Sequence, residues 1–228
     1  MSADVAVLKA AGPRRSECSW FGLFLLAKPN SFPMRYNLSE VNGVIRDRRS
    51  IKPEKFSDRA VHRELVEVLL ENARWAPTHA LTQPWYFKVF MGDGRNKLAT
   101  FQSDAYKAAT PEAEFKQAKF DKLLARPSRA SVIIAICMKR QETEKIPEVE
   151  EIAAVACAAQ NMQLTAAAYG LGAYWTSGGM TYTDEMKGFL GLGEKDRCLG
   201  FLYLGYPEGE WPKGQRRPQE YFSDWVTE

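Results

Sequence analysis

Three cationic side chains and a hydroxyl stand close together early in the chain. Arg48, Arg49, Ser50 and Lys52 fall within five residues of one another. The planar guanidinium of arginine binds phosphate through two parallel hydrogen bonds, and a serine hydroxyl adds a neutral donor. The cluster is therefore a candidate anion-binding site. A solvated basic face has the same composition, so the cluster alone leaves both interpretations open.

A second candidate is a loop that combines aromatic rings with polar donors. Trp75 and Trp85 bracket a segment that contains Pro77, His79 and Pro84. Two indole rings and an imidazole could clasp a flat heteroaromatic ring. Ordinary turn chemistry accounts for the prolines equally well, and the loop is open to both interpretations.

The motifs of side-chain catalysis are missing from the sequence. His62 and His79 belong to no H-E-x-x-H motif, and the four cysteines form no C-x-x-C pair, so we expect no metal site. Ser177 lacks the strand–turn–helix setting of a hydrolase nucleophile, and the glycines fit neither Walker nor Rossmann spacing. We assign no catalytic side chain. An enzyme with this sequence is expected to rely on a cofactor.

The composition is that of an ordinary globular protein. Of 228 residues, 45% are hydrophobic and 26% charged, and the net charge of +3 is too small to favour nucleic-acid binding. The dispersed cysteines favour a reducing compartment, and we expect a cytoplasmic location. Cys137 and Cys157 lie in apolar stretches and are expected to be buried.

Residues 1–33 differ from the rest of the chain. An apolar run at 20–27 follows Arg14 and Arg15. A bilayer span needs about 20 apolar residues, and no small-residue cleavage site follows the run. We predict an N-terminal extension outside the core, with a docked surface segment and a targeting peptide as alternatives. Residues 34–228 are expected to form a single domain.

Hydrophobic periodicity predicts the helices that position the candidate groups. A short helix leads into the basic cluster, and a second helix is predicted to be capped by Ser57 and Asp58. The region 95–125 is predicted to be helical and broken by Pro111. Its many aromatic side chains fit either a lid over a binding site or plain packing.

Aromatic and β-branched runs predict the strands. They lie at 85–91, 131–138 and 199–206, with an extended segment at 173–176. The alanine-rich segment 150–169 is predicted to be a buried central helix, because small side chains let other backbones approach it. Strands and helices alternate irregularly along the chain, which favours an α+β fold.

Four segments, taken in order, resemble a known family. They are 48–50, 76–85, 170–178 and 199–207. This ordered set is similar to the nitroreductase family of FMN-dependent NAD(P)H oxidoreductases, and most of all to its short "minimal" branch. Leu81 stands where larger relatives have asparagine, which favours that branch. Residues 1–33 match nothing in the family pattern.

The resemblance implies a fold, a cofactor and a reaction. The fold would be α+β, with a central mixed or antiparallel sheet flanked by helices, in an intertwined homodimer that binds two FMN molecules at the subunit interface. NADH or NADPH would reduce FMN, which would then reduce a small nitroaromatic or quinone-like acceptor by a ping-pong cycle. The alternatives are reductive dehalogenation or oxidation on the same fold, or flavin binding without turnover. No membrane or nucleic-acid partner is expected.

The resemblance also assigns binding roles to individual residues. The FMN phosphate and the polar flavin edge would be held by Arg48, Arg49, Ser50 and Lys52. The FMN of the other subunit would be reached by Trp75 and His79. The stretch beside the flavin ring would be Trp175, Thr176 and Ser177, and a further phosphate contact would come from Arg216 or, alternatively, Arg217. The NAD(P) segment would be Thr165, Ala166, Ala167, Ala168, Tyr169 and Gly170.

Overall fold

A computed structural model describes residues 35–228. Within them, Leu38–Glu228 form one compact unit; the prediction that 1–33 is an extension lies outside the described residues. The elements in chain order are α1 (Leu38–Asp47), α2 (Arg63–Ala73), β1 (Trp85–Met91), α3 (Asp93–Ala109), α4 (Gln117–Ala125), β2 (Val132–Met138), α5 (Glu148–Ala168), β3 (Gly172–Thr176), α6 (Asp184–Leu190) and β4 (Arg197–Gly205).

The strands form one antiparallel sheet with the order β1-β2-β4-β3. β1 begins at Trp85 and ends at Met91, as its aromatic and β-branched run predicts. Every residue of β2 is buried, as expected for a continuous apolar strand covered on both faces. The predicted α+β class with a central antiparallel sheet is confirmed.

The two faces of the sheet carry separate apolar clusters. Along β4, Leu202 and Leu204 point to the face covered by α2 and α5, whereas Phe201 and Tyr203 point to the face covered by α3 and α6. This alternation is the period of two that a strand buried on both faces must have. The edge strand β3 alternates in the same way, so neighbouring residues at its end serve different faces.

The alanine-rich helix α5 is buried along one side only. Nine of its side chains are buried, but Val149 is 70% exposed and lies on an outward stripe with Ala153, Cys157 and Gln160. The prediction that Cys157 is buried is therefore wrong for the single chain, since its helical position faces outward. Cys137 is buried as predicted, opposite Cys198 in the β2–β4 pairing. Among the described helices, α5 included, none is both long and apolar enough to span a membrane.

The helix α2 begins later than the sequence predicts. Ser57 does not cap it, because the Ser57 hydroxyl and backbone N–H both donate to the Tyr206 carbonyl, at 3.1 and 2.8 Å. This long-range pairing fixes the segment beside the end of β4, and the helix starts at Arg63. The break at Pro111 is confirmed, since α3 ends before it and α4 begins after it.

Candidate functional site

The basic cluster is held against the edge strand of the sheet. Ser50 forms a parallel bridge with Ala173 of β3, and the Ile51 backbone N–H donates to the Ala173 carbonyl at 3.0 Å. Ile51 is 2% exposed and anchors the segment in the core. Arg48 and Arg49 thus follow α1 directly and lie at a fixed position beside β3.

Three arginines meet at this position. The half-buried Arg48 donates from Nη1 to Gln163 Oε1 of α5 at 3.3 Å. Arg49 donates from Nε to the Pro212 carbonyl at 2.8 Å, which ties the C-terminal tail to the cluster. Burial lowers the pKa of Arg48, and the positive charges of Arg216 and Arg49 lower it further. The phosphate contact of Arg216 or, alternatively, Arg217 stays a prediction.

The cluster has no internal counter-charge. Within residues 35–228, none of the three guanidinium groups forms an ion pair with a carboxylate. Like charges brought together at a partly buried position repel one another unless an anion joins them. Lys52 is exposed, and its ammonium takes part in no hydrogen bond or ion pair in the described part of the chain. Arg49 already donates to the carbonyls of Pro212, Arg46 and Arg48. The unpaired positive charge of the group keeps it a candidate anion site, and its binding role stays a prediction.

Trp175 and Thr176 form the end of the edge strand β3, and Ser177 follows it. The indole N–H of Trp175 donates to the Leu199 carbonyl at 3.0 Å. Gly200, with a φ of 126°, makes this possible, because a Cβ there would lie 2.6 Å from the Thr176 carbonyl oxygen and 2.7 Å from the indole nitrogen. Trp175 packs toward the α2/α5 face. Thr176 follows on the opposite face, and Ser177 is exposed at the strand end.

Trp75 and His79 lie elsewhere on the single chain. Trp75 is 74% exposed, and the His79 Nδ1 lies 2.6 Å from Glu150 Oε2 near the start of α5. Gln163, the partner of Arg48, lies thirteen residues further along the same helix, or about 20 Å at 1.5 Å per residue. One chain therefore does not bring His79 to its own arginine cluster.

The loop that carries His79 is strained. Ala80, Leu81 and Gln83 have φ values of 48°, 55° and 46°, in the left-handed region that non-glycine residues rarely occupy. The Thr78 hydroxyl holds the loop by accepting from the Gln83 backbone N–H at 3.2 Å. Strain of this kind concentrates at functional sites. No sequence signal predicts it, because none of these residue types favours a positive φ.

Most of this chain matches the model of a known protein family. The profile described as "Nitroreductase family" matches residues 45–206, which include β1 to β4 and the basic cluster. The chain belongs to the nitroreductase family. The Escherichia coli K12 protein named "Putative NAD(P)H nitroreductase YdjA" is 34% identical over 146 residues, 64% of this chain and 77% of the relative.

Solved structures of nitroreductases share the fold. A nitroreductase-like family protein from Bacillus cereus is 32% identical, with a TM-score of 0.72 over 84% of this chain and 98% of its own. The Desulfovibrio desulfuricans protein named "putative nitroreductase", solved in complex with FMN, is 26% identical, with a TM-score of 0.59 over 84% of this chain and 99% of its own. The nitroreductase-like fold and membership of an enzyme family are thereby established.

The segment that the nitroreductase resemblance relates to NAD(P) is only partly on the surface. Thr165 and Ala166 are buried; the Thr165 hydroxyl donates to the Asn161 carbonyl at 2.8 Å and accepts from Asn72 Nδ2 at 2.9 Å. The end of the segment is exposed, at Ala168, Tyr169 and Gly170. The assignment of this segment to NAD(P) stays a prediction. A bound NAD(P) molecule would have to contact the segment through its exposed end.

One set of polar residues was missed by sequence reasoning. Lys119, Lys122 and Arg126 lie at i, i+3 and i+7 on α4 and its C-cap, and line a cavity over the sheet together with Gln102 and Tyr203. The helical spacing of the three cations is visible in the sequence. What the sequence does not reveal is that these side chains border a cavity, since Lys119 and Lys122 are themselves exposed and no residue of α4 is buried.

Proposed function

We propose that the chain is an FMN-dependent NAD(P)H oxidoreductase that reduces nitroaromatic or quinone-like acceptors by a ping-pong cycle. The observation that carries the proposal is the meeting of Arg48, Arg49 and Arg216 without a carboxylate partner among the described residues. FMN ends in a single phosphate, which such a cluster suits. The names of the relatives, one an NAD(P)H nitroreductase and one an FMN complex, support the same cofactor and co-substrate.

The residues present fit FMN. Arg48 and Arg49 would hold the phosphate, with Arg216 closing the cluster from the tail and Ser50 adding a hydroxyl. Trp175, Thr176 and Ser177 would flank the ring at the strand end, and Lys52 would add long-range positive charge. FMN, when bound, supplies the two-electron chemistry for which the chain has no side-chain motif. The protein's own task is to bind, to orient and to exclude water.

We further propose that the site is completed in a homodimer. Trp75, which follows α2 and donates from its indole N–H to Glu71 Oε1 at 3.1 Å, is 74% exposed. Leu81 of the strained loop is 79% exposed, and Phe222 and Trp225 near the end of the tail are 72% and 82% exposed. Exposed apolar side chains in such number are usually covered by a partner. Trp211 is already accounted for within the chain, because its indole N–H donates to the Asp47 carbonyl at 2.6 Å. Trp75 and His79 would then reach the FMN of the other subunit, and we expect the dimer in the cytoplasm.

The cofactor proposal is tested on the purified protein. We expect a flavin absorption band, release of FMN rather than FAD on denaturation, and bleaching of the band by NADH or NADPH under anaerobic conditions. Oxidation of the bleached protein by a nitroaromatic or a quinone would then complete the cycle. A colourless protein that takes up no added FMN contradicts the proposal. Flavin that no pyridine nucleotide reduces would instead indicate a flavin-binding protein without turnover.

The dimer proposal is tested by truncation. Removing residues 218–228 keeps Arg216 but deletes Phe222 and Trp225, and we expect a monomer by light scattering together with loss of flavin. Removing only residues 226–228 is the matched control and should leave both properties intact. A truncated protein that remains yellow as a monomer would show that one chain builds the whole site.

A further inference from the structure

The cavity beneath α4 is separate from the arginine cluster. It has a volume of about 310 Å³ and lies on the α3/α6 face of the sheet, where Phe201 and Tyr203 of β4 form its floor. The arginine cluster contacts Gln163 of α5, on the other face. A cavity of this size is at the small end for a ligand site, and suits a molecule with one ring.

The helix α4 borders the cavity with exposed lysines, and the Nζ of one of them, Lys119, lies 4.3 Å from the Tyr106 ring centroid. Lys119, Lys122 and Arg126 all line the cavity, and none of the described residues that line it is acidic. Arg126 is partly compensated by Glu54, whose Oε1 lies 3.4 Å from its Nε, but that nitrogen is buried without a hydrogen bond. Lys119 and Lys122 form no ion pair within residues 35–228. The cavity therefore carries a net positive charge.

Two buried polar side chains face the cavity without a partner. Gln102 is 5% exposed and Tyr203 is 3% exposed, and neither side chain takes part in a hydrogen bond within the described part of the chain. Burial raises the pKa of Tyr203 to about 12, so its hydroxyl keeps its proton and can donate. Their polar atoms are not among the fully buried, unpaired atoms of the described residues, so they open onto the cavity. Both side chains can therefore donate to a negatively charged acceptor that enters it.

We propose that this cavity binds a small aromatic carboxylate. The carboxylate would lie between Lys119 and Lys122 and accept from Gln102 and Tyr203, and its ring would pack on Phe201. The site goes beyond the proposed oxidoreductase activity. Thr176, which we propose to flank the flavin ring, also lines the cavity, so the ligand would lie beside that strand end and not at the phosphate cluster.

The test is calorimetric titration of the FMN-loaded protein, without NAD(P)H, with benzoate, benzamide and inorganic phosphate. We expect benzoate to bind at least about tenfold more tightly than benzamide, the scale of one charge-assisted hydrogen bond. Lys122→Gln and Gln102→Leu should each weaken benzoate binding by about tenfold. Lys107→Gln, an exposed lysine of α3 outside the cavity, removes the same charge and should leave binding unchanged. The titration can be run equally on protein that takes up no FMN, so its result is independent of the proposed activity.

Three outcomes overturn the proposal. Equal binding of benzoate and benzamide would show that charge is not recognised. Equal effects of the Lys122 and Lys107 variants, with no effect of Gln102→Leu, would place the anion elsewhere. Phosphate binding as tightly as benzoate would leave an oxyanion site without recognition of the ring.

Discussion

Two arginines of this protein lie in opposite electrostatic environments: Arg140 has a carboxylate partner, whereas Arg48 has none among the described residues. Arg140 is paired with Glu151, whose side chain is 0% exposed, so the positive charge is neutralised inside the fold. Burial lowers the pKa of Arg48, and the positive charges of Arg216 and Arg49 lower it further. The first pair holds α5 to the end of β2 and serves the structure. The second group leaves its charge unbalanced and so is suited to a ligand.

The largest expected effect follows from breaking the compensated pair. Glu151→Gln leaves the guanidinium of Arg140 buried without its carboxylate, and we expect the free energy of unfolding to fall by about 3–5 kcal/mol. Urea denaturation measures it. The control is Glu150→Gln, at the preceding residue. Because the pair of Glu150 with His79 is exposed, this substitution should lower the free energy of unfolding by less than about 1 kcal/mol. Equal losses in the two variants would remove the distinction between the environments.

Arg126 is only partly compensated, because its Nε lies 3.4 Å from Glu54 Oε1 and is buried without a hydrogen bond. The pKa of the neighbouring Tyr203 gives a way to measure how strongly this region is buried. The Arg126 guanidinium lies 5.7 Å from the Tyr203 ring centroid, and the Tyr203 pKa is raised to about 12. Tyrosine in the unfolded chain loses its proton near pH 10. Between these values the unfolded state binds fewer protons, so stability should fall as pH rises, by up to about 3 kcal/mol. Tyr203→Phe should lack this part of the alkaline loss, as pH-dependent denaturation of both proteins would reveal.

Removing a charge from the unbalanced group should weaken binding and spare stability. We expect Arg48→Gln to raise the FMN dissociation constant about 10- to 100-fold. Without FMN, its free energy of unfolding should change by less than about 1 kcal/mol, because relief of repulsion offsets the lost bond to Gln163. Fluorescence titration and denaturation give the two values. Arg46→Gln, two residues earlier, should alter neither, and equal loss of FMN in both variants would reject the cluster as the phosphate site.

The smallest expected effect is stabilisation of the flavin-free protein by inorganic phosphate. At a concentration ten times its dissociation constant, phosphate should add about 1.4 kcal/mol to the free energy of unfolding. The gain should disappear in Arg48→Gln and persist in Glu150→Gln. A thermal shift that is the same in all three proteins would indicate a general salt effect.

The local sequence pattern predicts the strands of the sheet better than it predicts the binding site. The run at 85–91 can only be a strand, because it consists mostly of aromatic and β-branched residues, and β1 has the same bounds in the structure. Ser57 and Asp58 looked like a helix cap, but a long-range bond from Ser57 to Tyr206 decided that segment. The outward side of α5 could not be recognised, since alanine suits both a core and a surface.

The candidate site also has one part that the sequence predicts and another that depends on the packing of distant elements. Residue types predict an anion site at Arg48 and Arg49, and the nitroreductase resemblance adds Arg216 or, alternatively, Arg217. The positive charge of Arg216 lowers the pKa of Arg48, but the phosphate contact stays a prediction. The cavity under α4 depends on how α3 and α4 fold back over Phe201, which no local pattern encodes. The roles of Trp75, His79 and the NAD(P) segment stay predictions, because they depend on a second subunit or a bound ligand.

Gly200 carries a consequence for how this protein can change over generations. Its missing side chain leaves the space through which the Trp175 indole reaches the Leu199 carbonyl. A side chain at 200 would push out the indole and would also meet the Thr176 carbonyl oxygen, at a backbone φ of 126°. A smaller residue at 175 removes only the first of these conflicts. A lineage can therefore lose the tryptophan and keep the glycine, whereas loss of the glycine damages the strand end whatever residue stands at 175.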